Sequence, residues 1–394
     1  MTVQISKFEE NEKNLADAIS FNEPQKVPVG IEVVMWPFAY SGVTYKEVMN
    51  EPERAAKAYM KFFDDIEVDY MWGPPGVSKP IQAFNALGNH NYVFGPDDTA
   101  IGHAQVDDQP MDESEYDEFI KDPKGYWQNT IIKRRLPALQ CSEEEAYKHL
   151  LAALEAYRPT LEMNDLIMKA YKEKGMATLS TTGPRYSVPL DTLFDRVRGM
   201  KNTLVDLRRR PEKVKAACDK IFEADMAARK EKPSDYEGKE GLFCGNTVYH
   251  SACFLNMKQF DEFFMSYLIK GFMPFFDVGV HMFLKGEGKF IHTLEKFRQL
   301  PKGAMVIMLE EDDPFDCYKE IGDWATLATG IKADLLKYGT KQQCIDYVKK
   351  CYDTFAPGGG FIFLQDRPLL CANDAKTENL LAVYEFANEY GKKK

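Results

Sequence analysis

Two spacings of apolar residues alternate along this chain, one typical of helices and one of short buried strands. Residues 9–21 have helical spacing and lead, through a proline-rich entry, into the apolar run Val27-Pro28-Val29-Gly30-Ile31-Glu32-Val33-Val34-Met35. Residues 52–65 return to helical spacing, with Ala55, Ala56, Tyr59 and Phe62 on one face, and end at a second apolar run, 68–72. Apolar positions three and four apart mark an amphipathic helix, and a short apolar run bounded by turn residues marks a buried strand. The pattern therefore predicts a β-α-β unit over this part of the chain.

Residues 83–140 break the alternation. They are rich in turn-forming and acidic residues, among them Asn89, Asn91, Gly95, Pro96, Asp97 and Asp98, then Asp107, Asp108, Glu113 and Asp117. They read as an insertion made of a short hairpin and helices, a lid over one end of the fold. Residues 143–173 predict a long helix broken or bent near Pro159, because proline removes a helical hydrogen bond and crowds the preceding turn. From 176 the alternation resumes, with extended candidates at 176–182, 242–250, 275–284, 304–310, 325–330 and 360–365 and amphipathic segments at 203–222 and 340–355. With the two early runs this makes eight strand-like segments separated by helices. That order predicts an α/β fold, a (β/α)₈ TIM barrel with an N-terminal extension and an inserted lid; a doubly wound sheet is the other arrangement with the same order. One domain spanning 1–394, with its insertion at about 83–140, accounts for the length.

Composition narrows the function. Hydrophobic residues make up 44% and charged residues 28%, as in a folded globular chain. A net charge of −11 argues against nucleic acid as a partner, since phosphate-binding surfaces are basic. No window approaches the roughly 18 consecutive apolar residues of a membrane span, and residues 1–13 are too charged for a secretion signal. A cytoplasmic protein is expected, with its eight cysteines as reduced thiols because none forms a CxxC pair. The run Gly358-Gly359-Gly360 lacks the Lys-Ser/Thr of a phosphate loop, and no GxGxxG, GxSxG or HExxH occurs.

In a barrel, chemistry sits where strands end and βα loops begin. Trp36 and Tyr40 follow the first strand and Trp72 closes the second, so all three read as aromatic walls of a pocket. Tyr186 follows Thr181-Thr182-Gly183-Pro184-Arg185 after a later strand, and His250 ends the run 242–250. His281 ends the apolar run 272–280, Glu310 caps 304–309, and Asp366 holds the same place after 360–365. His281, Glu310 and Asp366 would together form a His/carboxylate set suited to Zn²⁺ or to proton donation.

The segment Val188-Pro189-Leu190-Asp191-Thr192-Leu193-Phe194-Asp195-Arg196-Val197-Arg198-Gly199-Met200-Lys201 resembles the uroporphyrinogen decarboxylase-like superfamily. So do Leu207-Arg208-Arg209-Arg210-Pro211-Glu212-Lys213-Val214, Leu336-Lys337-Tyr338-Gly339-Thr340, Gly358-Gly359-Gly360-Phe361-Ile362 and the tail from Asp374 to Leu380. The likeness runs from about Leu15 to Gly391 and implies a (β/α)₈ barrel. True decarboxylases of the superfamily carry Arg-Gln-Ala-Gly-Arg-Tyr near the amino end, to grip an acidic tetrapyrrole. Here the first strand ends in Met35-Trp36-Pro37-Phe38, without arginine, which disfavours a uroporphyrinogen-type decarboxylase. Members that methylate coenzyme M bind zinc through a His-x-Cys pair and a later cysteine. In this chain the pair reads His281-Met282-Phe283, and Cys371 lies a few residues beyond the later position.

The chain is most similar to the corrinoid-dependent methyltransferases that demethylate methoxylated compounds. That resemblance implies methyl transfer from a small methoxylated substrate, aromatic by preference, to the Co(I) corrinoid of a separate protein. Together with their strand-end positions, that resemblance places His281 and Glu310 in catalysis, Trp36, Tyr40, Trp72, Tyr186 and His250 at the substrate, and His281, Glu310 and Asp366 at a Zn²⁺ if one is bound. A non-catalytic barrel that binds a corrinoid or an aromatic ligand is the competing reading, and a homodimer is compatible with either.

Overall fold

The computed structural model describes residues 6–73, 76–104, 109–179 and 183–393. Strands and helices alternate as the periodicity predicts. The strands are β1 (Gly30–Ile31), β2 (Tyr70–Met71), β3 (Tyr92–Phe94), β4 (Ile101–His103), β5 (Ala177–Thr178), β6 (Cys244–Tyr249), β7 (His281–Gly286), β8 (Met305–Leu309), β9 (Thr326–Ile331) and β10 (Phe361–Gln365). β1, β2 and β5 form one parallel sheet in that order, and β10-β9-β8-β7-β6 form another. Isolated parallel bridges join the two at both sides. Val29, just before β1, pairs with Phe363 of β10, and Arg185 pairs with Asn246 of β6. β3 and β4 make an antiparallel hairpin inside the insertion, and short helices between Glu113 and Leu139 complete it.

Parallel strands need helices on their outer face, and the side-chain period of two sends alternate residues inward. In Met305-Val306-Ile307-Met308-Leu309, Val306 and Met308 join an inner cluster with Tyr70, Trp72, Leu179, Phe283, Ile362 and Leu364. Met305, Ile307 and Leu309 instead face the helix layer. The helix Pro52–Asp65 starts with proline in its first turn and buries Ala55, Ala56, Tyr59, Met60, Phe62 and Phe63. The helix Lys341–Phe355 is capped by a Thr340/Gln343 box and buries Cys344, Val348, Cys351, Tyr352 and Phe355. No described helix is long and apolar enough to cross a membrane.

The amino-terminal helix Lys7–Ile19, held by a Ser6/Glu9 capping box, lays Leu15, Ala18 and Ile19 against the inner cluster. The triple glycine receives it there. Gly358, Gly359 and Gly360 have φ of +82°, +81° and +75°, and the Gly360 N–H donates to the Ala18 carbonyl at 2.7 Å. A Cβ on Gly359 would stand 2.7 Å from the Asn22 carbonyl oxygen. The run is a docking surface for this helix.

Several predicted boundaries move. The apolar run before His281 is the end of a helix, Ser266–Phe276, and the strand begins at His281 rather than ending there. The helix Glu143–Glu173 is continuous through Pro159; its second half is held by burial of Thr160, Met163, Ile167 and Tyr171, and that packing outweighs the lost bond. The segment 203–222 divides at Pro211 into Met200–Arg209 and Pro211–Ala228. Of the predicted strand 176–182, residues 177–178 pair and 180–182 lie outside the described residues, as do Pro74, Pro75, Asp107 and Asp108.

Candidate active site

The inward side-chain rows of β1, β7 and β8 change character at their carboxyl ends, while that of β2 stays aromatic. On β7 the row reads Phe283, Lys285, Glu287, on β8 Val306, Met308, Glu310, and on the first two strands Gly30, Glu32 and Tyr70, Trp72. Polar groups from distant parts of the chain thereby meet over an apolar floor. In that floor buried Trp72 sets its ring edge-on to Phe283, with centroids 5.0 Å apart.

At the centre the Lys285 ammonium pairs with Glu32 Oε1 at 3.2 Å. The other Glu32 oxygen, Oε2, is buried with no hydrogen-bond partner. Burial pushes the Glu32 carboxyl above the usual carboxylate range; Lys285 opposes the shift, and the charges of Glu287 and Glu310 add to it. Beneath, Gln365 Nε2 donates to the Glu32 carbonyl at 2.6 Å and the Tyr384 hydroxyl donates to Gln365 Oε1 at 3.0 Å, so the backbone carrying Glu32 is fixed from outside.

His250, one residue past β6, lies between two carboxylates. Its Nδ1 is 2.8 Å from Asp195 Oδ2 and its Nε2 2.8 Å from Glu287 Oε2. Only the imidazolium can donate to both. Burial on its own would lower the pKa, but the two hydrogen bonds and the two negative charges win and raise it to about 10. The ring is therefore a fixed cation that ties the helical segment Leu193–Val197 to the residue just past β7.

Glu310 accepts the Gly288 N–H at 2.9 Å through Oε2, and Arg367 Nε stands 3.8 Å from Oε1. Asp312, next along, is taken up by the backbone N–H groups of Phe290 and Ile291 at 2.7 and 3.0 Å. From the loop after β2, Lys79 comes within 3.1 Å of His103 Nε2 on the insertion hairpin. Burial, with Lys285 nearby, lowers the Lys79 pKa.

Of the residues expected from sequence, Glu310, His250 and Trp72 lie at this strand-end site. Asp366 also follows its strand, but its carboxylate accepts the Ala333 N–H at 2.8 Å, and burial pushes it up to about 6. His281 is at the opposite end. It opens β7, paired with Cys244, and its Nδ1 donates to the Gly303 carbonyl at 2.8 Å. Gly286, at the other end of the strand, is five positions further on, about 16 Å at the rise of an extended chain. His281, Glu310 and Asp366 therefore do not converge, and among the described residues no three His, Cys, Asp or Glu side chains gather to hold a metal. The residues present do not fit the expected Zn²⁺.

Trp36 and Tyr40 are also displaced from their expected place. They lie on the short helix Trp36–Tyr40 in the outer layer, stacked at 5.5 Å, with the Phe62 ring edge-on to Trp36 at 5.0 Å. The Tyr40 hydroxyl donates to Asp65 at 2.6 Å. Tyr186 is buried beside β6 with its hydroxyl donating to the Tyr267 carbonyl at 2.6 Å. Glu32, Lys285, Glu287, Asp195 and Lys79 are additions that the sequence reading missed. A signal for three of them was present: counting by two from inward apolar residues, through Phe283 to Lys285 and Glu287 and through Gly30 to Glu32, reaches the strand ends. Nothing local marks Asp195 or Lys79.

No family model and no curated protein matches the chain. Among solved structures, a methyltransferase from Methanosarcina mazei is similar with a TM-score of 0.57 at 15% identity, covering 96% of this chain and 98% of that one. The likeness extends over the whole fold.

Proposed function

We propose that this chain is a single-domain (β/α)₈-barrel methyltransferase, cytoplasmic, that takes a methyl group from a methoxylated aromatic substrate and gives it to the Co(I) corrinoid of a partner protein. Full-length similarity of fold to a protein named a methyltransferase supports the general activity. The continuous order of parallel strands, bridged on both sides, supports the barrel, and the insertion hairpin beside Lys79 supports its reading as a lid.

The observation that carries the chemistry is Glu32: a buried carboxyl at the strand ends, lifted in pKa, with one oxygen unpartnered. Attack of Co(I) on the methyl carbon forms the carbon–cobalt bond and breaks the carbon–oxygen bond, whose electron pair stays on oxygen. A phenolate or alkoxide leaves poorly unless it is protonated. Glu32 in its protonated form supplies that proton, Lys285 stabilises the carboxylate left behind, and Glu310, anchored by Gly288, faces the same space. Trp72 provides an aromatic surface for the ring. His250 keeps its charge and positions Glu287 and Asp195 rather than exchanging protons near neutral pH.

Anaerobic incubation with a reduced corrinoid and a panel of methoxyaromatics tests this reading. The expected result is loss of the Co(I) spectrum with release of the matching phenol. Glu32→Gln should lower kcat by roughly 10²–10⁴-fold for a lost proton donor while changing KM little, and Glu310→Gln should lower kcat more than it raises KM. Porphyrinogen decarboxylation without cobalt methylation by any ether would replace the reading with the decarboxylase. Saturable binding without turnover would make the chain a ligand-binding barrel.

A further inference from the structure

A second concave site lies beside the strand-end site, where the Arg185–Asn246 bridge joins the segment after β5 to β6. It is a cavity of 1110 Å³ between the insertion, the segment 183–187 and the helix Pro211–Ala228. Pockets that bury small organic ligands span about 300–1000 Å³, so the space is ample for one.

Its lining is unusual for a chain of net charge −11. Arg185, Arg196, Arg229 and Lys124 all contribute to the wall, against the two carboxylates Asp225 and Glu231. Arg229 is spoken for: its guanidinium lies over the Tyr186 and Phe275 rings at 5.3 and 5.1 Å and donates to the Gly271 carbonyl. The Arg185 and Arg196 side chains are exposed to the cavity and have no hydrogen bond or ion pair with any described residue. Trp127, half-buried on the insertion, and Phe119 bring aromatic surface to the same cavity.

We infer that this cavity is a binding site for a flat aromatic ligand bearing a carboxylate. A planar guanidinium pairs with a carboxylate through two parallel hydrogen bonds; Arg185 and Arg196 keep that capacity, with Arg196 only in the electrostatic field of Asp225 and not hydrogen-bonded to it, and the same cavity offers Trp127 and Phe119 to a ring. The site is separate from the Glu32–Lys285 centre, and the inference does not depend on methyl transfer.

Calorimetric titration of the whole chain with benzoate, neutral methoxybenzene and inorganic phosphate tests it, with no cobalt or methyl donor present. Benzoate should bind, and methoxybenzene and phosphate should each bind at least roughly tenfold more weakly, since each lacks one half of the recognition. Arg185→Gln and Arg196→Gln should each weaken benzoate by roughly ten- to a hundredfold, the loss expected for a charge-assisted hydrogen bond. Unchanged circular dichroism would show that these exposed positions tolerate the change, and Trp127→Leu supplies a third variant that leaves the charges intact. Equal affinity for benzoate and methoxybenzene, or for benzoate and phosphate, would overturn the assignment. So would arginine variants that bind like the parent, or no binding of benzoate at all.

Discussion

Replacing Lys285 with methionine keeps the length of the side chain while removing the cation that faces Glu32. In the parent the ammonium is 3.2 Å from Glu32 Oε1, and the two side chains are 22% and 15% exposed. Removing one partner of a buried ion pair costs about 3–5 kcal/mol. Partial exposure places this pair at the lower end, and proton uptake by Glu32 limits the loss further, so about 2–3 kcal/mol is expected at pH 8. The dependence on pH has a definite sign. A carboxyl whose folded pKa lies above its ordinary 4.5, as burial makes Glu32, destabilises the folded state increasingly as pH rises from that value to the folded pKa. Without Lys285 the folded pKa climbs further, so the penalty should shrink to about 1 kcal/mol or less near pH 5. Urea unfolding followed by far-ultraviolet circular dichroism at the two pH values measures this. A double-mutant cycle with Glu32→Gln should give a coupling of about 1.5–3 kcal/mol. A coupling below about 0.5 kcal/mol would refute the Glu32–Lys285 ion pair, and a penalty greater at pH 5 than at pH 8 would refute the picture of Glu32 as a carboxyl lifted in pKa.

Three more outcomes follow from named contacts. The His250 imidazolium, raised from 6.5 to about 10, contributes stability that is whole below pH 6.5 and fades as pH rises toward 10; NMR titration should show the ring still protonated at pH 8, and His250→Gln should flatten that alkaline loss of stability. Gly359→Ala, which must hold φ +81° and drives its Cβ to 2.7 Å from the Asn22 carbonyl oxygen, should destabilise by more than about 2 kcal/mol, whereas Gly358→Ala, with φ +82° and open space, should cost only the left-handed penalty of about 1–2 kcal/mol in thermal unfolding. Trp36→Phe should cost no more than about 1.5 kcal/mol and leave KM and kcat unchanged, because the ring packs on Phe62 and Tyr40 in the helix layer and its Nε1 has no partner to lose.

Apolar periodicity alone was enough to order the elements along the chain, since buried strands and amphipathic helices differ in repeat and length. Met305–Leu309 and Phe361–Gln365 could be read directly, and the position just past them pointed to Glu310. The same pattern misplaced His281, because Phe272, Phe275 and Phe276 satisfy helical spacing while the unbroken apolar run also satisfies a buried strand. Which of the two forms depends on what packs against it. Trp36 and Tyr40 were misassigned for a related reason: following a strand does not decide whether an aromatic ring turns into the mouth or out to the helix layer, and Phe62 on the neighbouring helix settled that. The pairs that give the site its charge are set only by the closing of the fold. Glu32 and Lys285 are 253 positions apart in the chain and Asp195 and His250 are 55 apart, so no local pattern relates them. The order of elements is legible in the sequence because each repeat is a local property of a few turns or residues. Proximity between strand ends, with the desolvation and charge pairing that perturb Glu32 and His250, exists only once the parallel strands stand side by side.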